Sequence, residues 1–91
     1  MKKTTHREQI YSAITEFVGS WVDDANILKT LHQNSNIIED IGLDSIAVLH
    51  LIMHLEEALN IKIQNNDINY ENLSTINKLI SLVETKLNED N

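Results

Sequence analysis

The chain contains no proline and only two glycines, Gly19 and Gly42, in 91 residues. Antiparallel sheets need tight turns, and tight turns are built chiefly from Gly, Pro and Asn-Gly pairs. Neither glycine lies between alternating strand-like runs. The many Ile and Val residues suit strands by propensity, so periodicity has to decide. It decides for helix. Ile10, Ile14, Phe17, Val18 and Trp21 recur at three- and four-residue spacing, which predicts a helix over about 5–21 with all five in the core. Thr4 or Thr5 is placed to cap it, Glu8 suits the first-turn dipole, and Gly19 weakens the last turn.

A second helix is predicted over 45–60, with Ile46, Leu49, Ile52, Met53, Leu55 and Leu59 forming a broad apolar stripe and Asp44 at the N-cap. A third runs over 75–87, capped by Ser74, with Ile76, Leu79, Ile80, Val83 and Leu87 on one face and a fraying tail at 88–91. Residues 67–72 read as a short helix or turn that buries Ile68. The long stretch 22–44 reads as an ordered connection. Ile27, Leu28 and Leu31 form one buried helical turn there, and Ile37, Ile38, Ile41 and Leu43 pin it to the core. The expected fold is an all-α bundle of three main helices and one short one with a long first loop, in a single domain spanning 1–91 with an ordered core at about 5–88.

Charge and composition narrow the function classes. Fourteen carboxylates oppose seven Lys and Arg, for a net charge of −7. Such a chain does not neutralise a phosphate backbone, so no nucleic-acid partner is expected. The same sign disfavours anionic membranes and favours basic protein surfaces. The absence of cysteine excludes disulfides, thiolate nucleophiles and Cys-ligated metals. No apolar run is long enough to span a bilayer, and residues 1–6 lack a signal-peptide apolar region. A cytoplasmic monomer is the default expectation.

The chemistry-bearing stretch is Glu39-Asp40-Ile41-Gly42-Leu43-Asp44-Ser45-Ile46. It ends the long loop and opens the second helix. Asp44 can satisfy the cap and leave the Ser45 hydroxyl free, while the helix N–H groups and dipole favour a phosphate on that oxygen. Gly42 gives the chain freedom to turn into the helix. Nothing activates Ser45 within the chain. His50 and His54 lie five and nine residues on and point elsewhere, so any base must come from another protein. If Ser45 reacts, that favours a modified substrate over an enzyme. His50 and His54 share a helical face but lack a third ligand, and they read as surface histidines with no metal site. The acids Asp23, Asp24, Glu39 and Asp40 lack calcium-loop spacing. Met53 reads as core packing.

Glu39-Asp40-Ile41-Gly42-Leu43-Asp44-Ser45-Ile46, followed by Leu49-x-Leu51-Ile52-Met53-x-Leu55-Glu56-Glu57, resembles the acyl carrier proteins and the related peptidyl carrier domains, closely over 37–63 and loosely over most of the chain. The resemblance implies that Ser45 bears a 4′-phosphopantetheine arm, transferred from coenzyme A by a phosphopantetheinyl transferase, and that the arm's thiol carries cargo as a thioester. It implies further partners: an acyl- or aminoacyl-loading ligase or transferase, and downstream synthase enzymes of a polyketide, fatty-acid-like or nonribosomal peptide pathway. Asp44, Leu43 and Ile46 are then expected to frame the base of the arm. Asp40, Asp44, Ala47, Val48, His50, Glu56 and Glu57 are expected to face partners. Ala47 and His50 stand where fatty-acid carriers usually have carboxylates, which favours a dedicated pathway. Two rivals stay open: an aminoacyl or peptidyl carrier on the same scaffold, and a helical adaptor with no prosthetic group.

Overall fold

The computed structural model describes residues 6–89 of the chain. Helix α1 spans His6–Trp21, α2 Ala25–Thr30, α3 Ser45–Leu59, α4 Tyr70–Leu73 and α5 Ile76–Glu89, with a 3₁₀ turn at Asn65–Asp67 before α4. No strand forms among the described residues. The three long helices hold the core: α1 packs against both α3 and α5, and α4 closes one end against α5.

Each long helix buries a stripe. On α1 the stripe is Ile10, Ile14, Phe17 and Val18. On α5 it is Ile76, Leu79, Ile80 and Val83, with Leu87 only partly covered. A polar latch joins these two helices: Arg7 donates to Glu84 Oε1 at 2.9 Å and to the Asn77 side-chain oxygen. Trp21 departs from its expected place. It is 45 % exposed at the rim, where α1 ends, and stacks on Phe17. The proposed caps Thr4 and Thr5 lie outside the described residues, as do Asp90 and Asn91 of the tail. Asn88 and Glu89 continue α5 instead of fraying.

The long connection is ordered by hydrogen bonds as much as by apolar contacts. Asp24 caps α2 by accepting from the N–H groups of Asn26 and Ile27. That helix has no buried residue, and Leu28 is exposed, so the expected buried turn at Ile27, Leu28 and Leu31 is only a partial packing of Ile27 and Leu31. Six residues give too little helix to cover the core, which the long helices already close. Further on, the Ile37 N–H donates to the Ser74 carbonyl at 2.9 Å and the Ile76 N–H to the Ser35 carbonyl at 3.1 Å. This two-bond clamp ties the loop to the start of α5. It leaves Ile37, Ile41 and Leu43 buried and turns Ile38 outward. Ser74 does not cap α5, since its hydroxyl donates back to the Glu71 carbonyl. Thr75 is the cap, its hydroxyl oxygen accepting from the Lys78 N–H.

Helix α3 is rotated from the expected register. Its buried residues are Ala47, Val48, Leu51, Ile52 and Leu55, while Ile46, Leu49 and Met53 face out. The segment after it is held by a carboxylate: Glu56 Oε2 accepts from the Ile63 N–H at 2.9 Å. Asn60 ends α3 in the left-handed region at φ 54°. The 3₁₀ turn is fixed by Asp67, whose carboxylate accepts from the Gln64 N–H and pairs with Lys86 of α5 at 2.8 Å. Leu73 is buried, and Ile68, expected to be buried, is only partly covered.

Candidate functional site

Ser45 is the first residue of α3, and the chain upstream sets its direction. Asn36 folds the approach: its side-chain oxygen accepts from the N–H groups of Ile38 and Glu39, and its own N–H donates to Asp40 Oδ2 at 2.8 Å. Gly42 then adopts φ +86°, a left-handed conformation that a residue with a Cβ enters only with strain. The turn buries Leu43 and delivers Asp44 to the N-cap, where Oδ1 accepts from the Ala47 N–H at 2.8 Å. With the Val48 N–H donating to the Asp44 carbonyl, the N–H groups of Ser45 and Ile46 are the two at the helix start that the helix itself does not use.

Ser45 is exposed at this start and lines an apolar cleft of about 350 Å³. Ile38, Val48, Leu49, Ile68, Tyr70 and Leu73 supply its apolar walls, and Asn69 adds the other polar side chain. The cleft therefore lies between the loop, the N-terminal half of α3, and the segment running into α4. Among the described residues, no Lys or Arg lines this cleft. A phosphoryl group on the Ser45 oxygen would meet the free helix N–H groups and the positive end of the macrodipole. The exposed hydroxyl, the occupied cap and the apolar cleft beside it fit a covalently attached 4′-phosphopantetheine.

Several expected site residues are placed differently. Leu43 is 2 % exposed and cannot frame an arm outside the protein; it packs into the core beneath the Gly42 turn. Ala47 is fully buried against the bundle, and Val48 is buried except where it forms part of the cleft wall, because α3 is rotated toward them. Glu56 is half-buried and engaged with Ile63, so it is a structural latch. Asp40 is exposed, but its carboxylate closes the Asn36 turn. Ile46 and Glu57 are exposed as expected. His50 is exposed and its ring lies tilted against Trp21, with ring centroids 5.1 Å apart. His54 is half-buried: its ring tilts on Phe17, and its Nε2 atom lies covered 3.7 Å from Glu16 Oε1 with no hydrogen-bond partner among the described residues. Sequence reading missed Ile38, Ile68 and Tyr70 as walls of the cleft. They are scattered in sequence and meet only through the Ser35–Ile76 and Ile37–Ser74 hydrogen bonds. Among the described residues no group of three or more His, Asp or Glu side chains is placed to hold a metal ion. None of the helices is long and apolar enough to cross a membrane.

Comparison with known proteins agrees with this geometry. Residues 15–83 match the family described as Phosphopantetheine attachment site. The acyl carrier protein of Chlamydia caviae is 33 % identical over 79 residues, covering 87 % of this chain and 92 % of the relative. That of Wolinella succinogenes is 32 % identical over 77 residues, covering 84 % and 95 %. That of Thermotoga maritima is 28 % identical over 83 residues, covering 89 % and 95 %. A three-helix core with an N-capped serine opening its middle long helix, and a family match across most of that core, place this chain in the acyl carrier protein family: it is a carrier of covalent 4′-phosphopantetheine and not an enzyme.

Proposed function

We propose that the chain is a single carrier domain, that Ser45 is its attachment residue, and that it carries acyl intermediates in a dedicated biosynthetic pathway in the cytoplasm. The observation that carries this reading is the position of Ser45 at an apolar cleft without a charged wall. In the attachment step Ser45 Oγ bonds to the phosphorus of coenzyme A that bears the pantetheine chain. The pyrophosphate P–O bond breaks, adenosine 3′,5′-bisphosphate leaves, and the hydroxyl proton passes to a base on the transferase. When bound, the arm supplies the thiol that a chain without cysteine lacks and holds cargo as a thioester. Asp44 keeps the helix start ordered around the attachment oxygen, and Ile46 flanks the base of the arm. Ile38, Leu49, Ile68 and Tyr70 offer an apolar surface that shields hydrocarbon from water.

An aminoacyl carrier has the same attachment chemistry. It is the weaker reading, because a cargo ammonium finds no carboxylate in the cleft wall. The test is intact-mass and tandem mass spectrometry of the holo protein after exposure to loading enzymes. Acylation by acyl-activating ligases or acyltransferases supports the reading. Exclusive loading by amino-acid-adenylating enzymes replaces it with the aminoacyl one, and an unmodified Ser45 removes it.

A further inference from the structure

The bundle core grips α3 from Ala47 onward, but not at its first two residues. Ala47 and Val48 are buried, whereas Ser45 and Ile46 are exposed at a helix end whose N–H groups the helix leaves unbonded. Helix ends open locally at little cost unless something outside the helix holds them. The direction of the Ser45 hydroxyl therefore depends on the chain that enters α3. In that chain every backbone N–H from Asn36 to Ile41 is hydrogen-bonded.

Two residues hold the turn closed. Asn36 Oδ1 accepts from the N–H groups of Ile38 and Glu39 at 3.0 and 2.8 Å, and the Asn36 carbonyl accepts from those of Asp40 and Ile41, both at 3.0 Å. Asp40 Oδ2 answers by accepting from the Asn36 N–H at 2.8 Å. Beyond the turn comes Gly42 at φ +86°, the only residue of the approach with the freedom of a missing Cβ. It is bracketed by two bonds back to the turn, Ile41 N–H to the Asn36 carbonyl and Leu43 N–H to the Ile37 carbonyl at 3.2 Å. If the turn opens, Gly42 becomes a hinge directly ahead of the Leu43–Asp44 entry to α3. The far side of the turn is bolted to α5, by a bridge between Asn36 and Thr75 and by the clamp at Ser35–Ile76 and Ile37–Ser74. The closed turn is thus a strut from the start of α5 to the start of α3, and it carries Ile38 into the cleft wall.

We infer that Asn36 and Asp40 are positioning residues for attachment at Ser45: their closed turn holds the Ser45 hydroxyl in the direction from which a transferase can use it. The inference rests on Ser45 being the attachment residue. Both side chains act through the backbone of the turn, upstream of the reacting oxygen. Asp40 then has a different task from an acid that meets a basic partner. A charge contact needs the negative charge and tolerates a shifted carboxylate. A strut needs an acceptor atom in one place and not the charge. A misplacement of about 1 Å can slow a reaction by about 10²-fold, so a small motion at the Gly42 hinge registers in the rate.

Two substitutions pull charge and geometry apart. Asp40→Asn keeps an acceptor oxygen at the same reach and removes the charge, while Asp40→Glu keeps the charge and carries the acceptor one methylene too far. The probe is a broad-specificity phosphopantetheinyl transferase with saturating coenzyme A, with loading followed by intact mass at a temperature where melts verify that each variant is folded. Asp40→Asn is expected to keep kcat within about twofold of wild type and Asp40→Glu to lower it about tenfold, with KM for the carrier changed less than about twofold in both. Asn36→Ala, which takes the acceptor from Ile38 and Glu39, is expected to slow loading in the same way. Asn36→Ser, whose hydroxyl supplies a turn-capping acceptor again, recovers most of the rate. Amide exchange at Ile41 and Leu43 rises about fivefold or more in the slow variants and stays near wild type in the others, which ties the rate to the turn. Folded Asp40→Glu and Asn36→Ala proteins that load with wild-type kcat overturn the inference, whatever their Tm, because the turn then serves stability alone. A raised KM in Asp40→Asn beside a normal Asp40→Glu overturns it as well, because the charge then meets the transferase. If wild-type protein is not loaded at all, the Ser45 reading fails and this inference falls with it.

Discussion

Removing the Asp44 side chain separates a cap from a docking contact. In Asp44→Ala the Ala47 N–H loses its 2.8 Å acceptor at the helix start that presents Ser45. Replacing a capping Asp by Ala costs about 0.5–2 kcal/mol. In a domain of this size about 1 kcal/mol lowers Tm by roughly 4–8 °C. The same loss, if it opens the first turn locally, raises the exchange rate of the Ala47 amide roughly fivefold. Asp44→Asn keeps the acceptor and gives up only the charge–dipole part, about 0.3–1 kcal/mol before solvent screening at this exposed site. The account therefore orders the proteins wild type, Asn, Ala in Tm, and predicts that Asn retains most of the loading rate that Ala loses. Thermal melts, amide exchange at Ala47 and transferase kinetics give the three readouts. An Ala variant with unchanged Tm and exchange refutes the capping role. An Asn variant that melts like wild type but loads as poorly as Ala shows that the carboxylate acts on the transferase rather than on the helix.

Two further outcomes test the scaffold behind the site. Leu79→Ala empties a fully buried position on α5 and should destabilise by about 2–5 kcal/mol in urea titrations; an unchanged midpoint would mean that α5 is turned the other way. Asp67→Asn tests the tie between the 3₁₀ turn and α5. The hydrogen bond from Lys86 holds the Asp67 carboxyl below its ordinary range; partial burial opposes this, and the Gln64 N–H reinforces it. A lowered folded-state pKa stabilises the fold above the unfolded value, and that stability is lost as pH falls through the folded one. The wild-type protein should therefore exceed Asp67→Asn in stability at neutral pH, with the gap closing in acid. A gap that does not depend on pH would contradict the pairing.

The long helices were legible because their apolar residues recur at helical spacing and because the chain is so poor in turn-forming glycine and proline. The Asp44–Ser45 pair was legible because a capping acid immediately before a serine has one economical arrangement. What periodicity did not show was which side of α3 faces inward. Between Ile46 and Leu55 that helix is apolar nearly all round, so several arcs satisfy a 3.6-residue period. Small Ala47 sits where α3 packs closely on its neighbours, and larger Ile46 and Met53 are left outside. A hydrophobic pattern alone cannot say that the smaller side chain wins the interior. The Glu56–Ile63 and Asp40–Asn36 hydrogen bonds were hidden for a different reason: in sequence, an acid that satisfies a backbone N–H looks the same as one that faces water.

Tandem mass spectrometry of the protein after incubation with coenzyme A and a broad-specificity phosphopantetheinyl transferase tests the central claim most directly. The account predicts a single phosphopantetheine adduct on the peptide containing Ser45, and a Ser45→Ala protein that melts as a folded bundle and stays unmodified. A folded wild-type protein left bare, or an adduct that persists in Ser45→Ala, would contradict it.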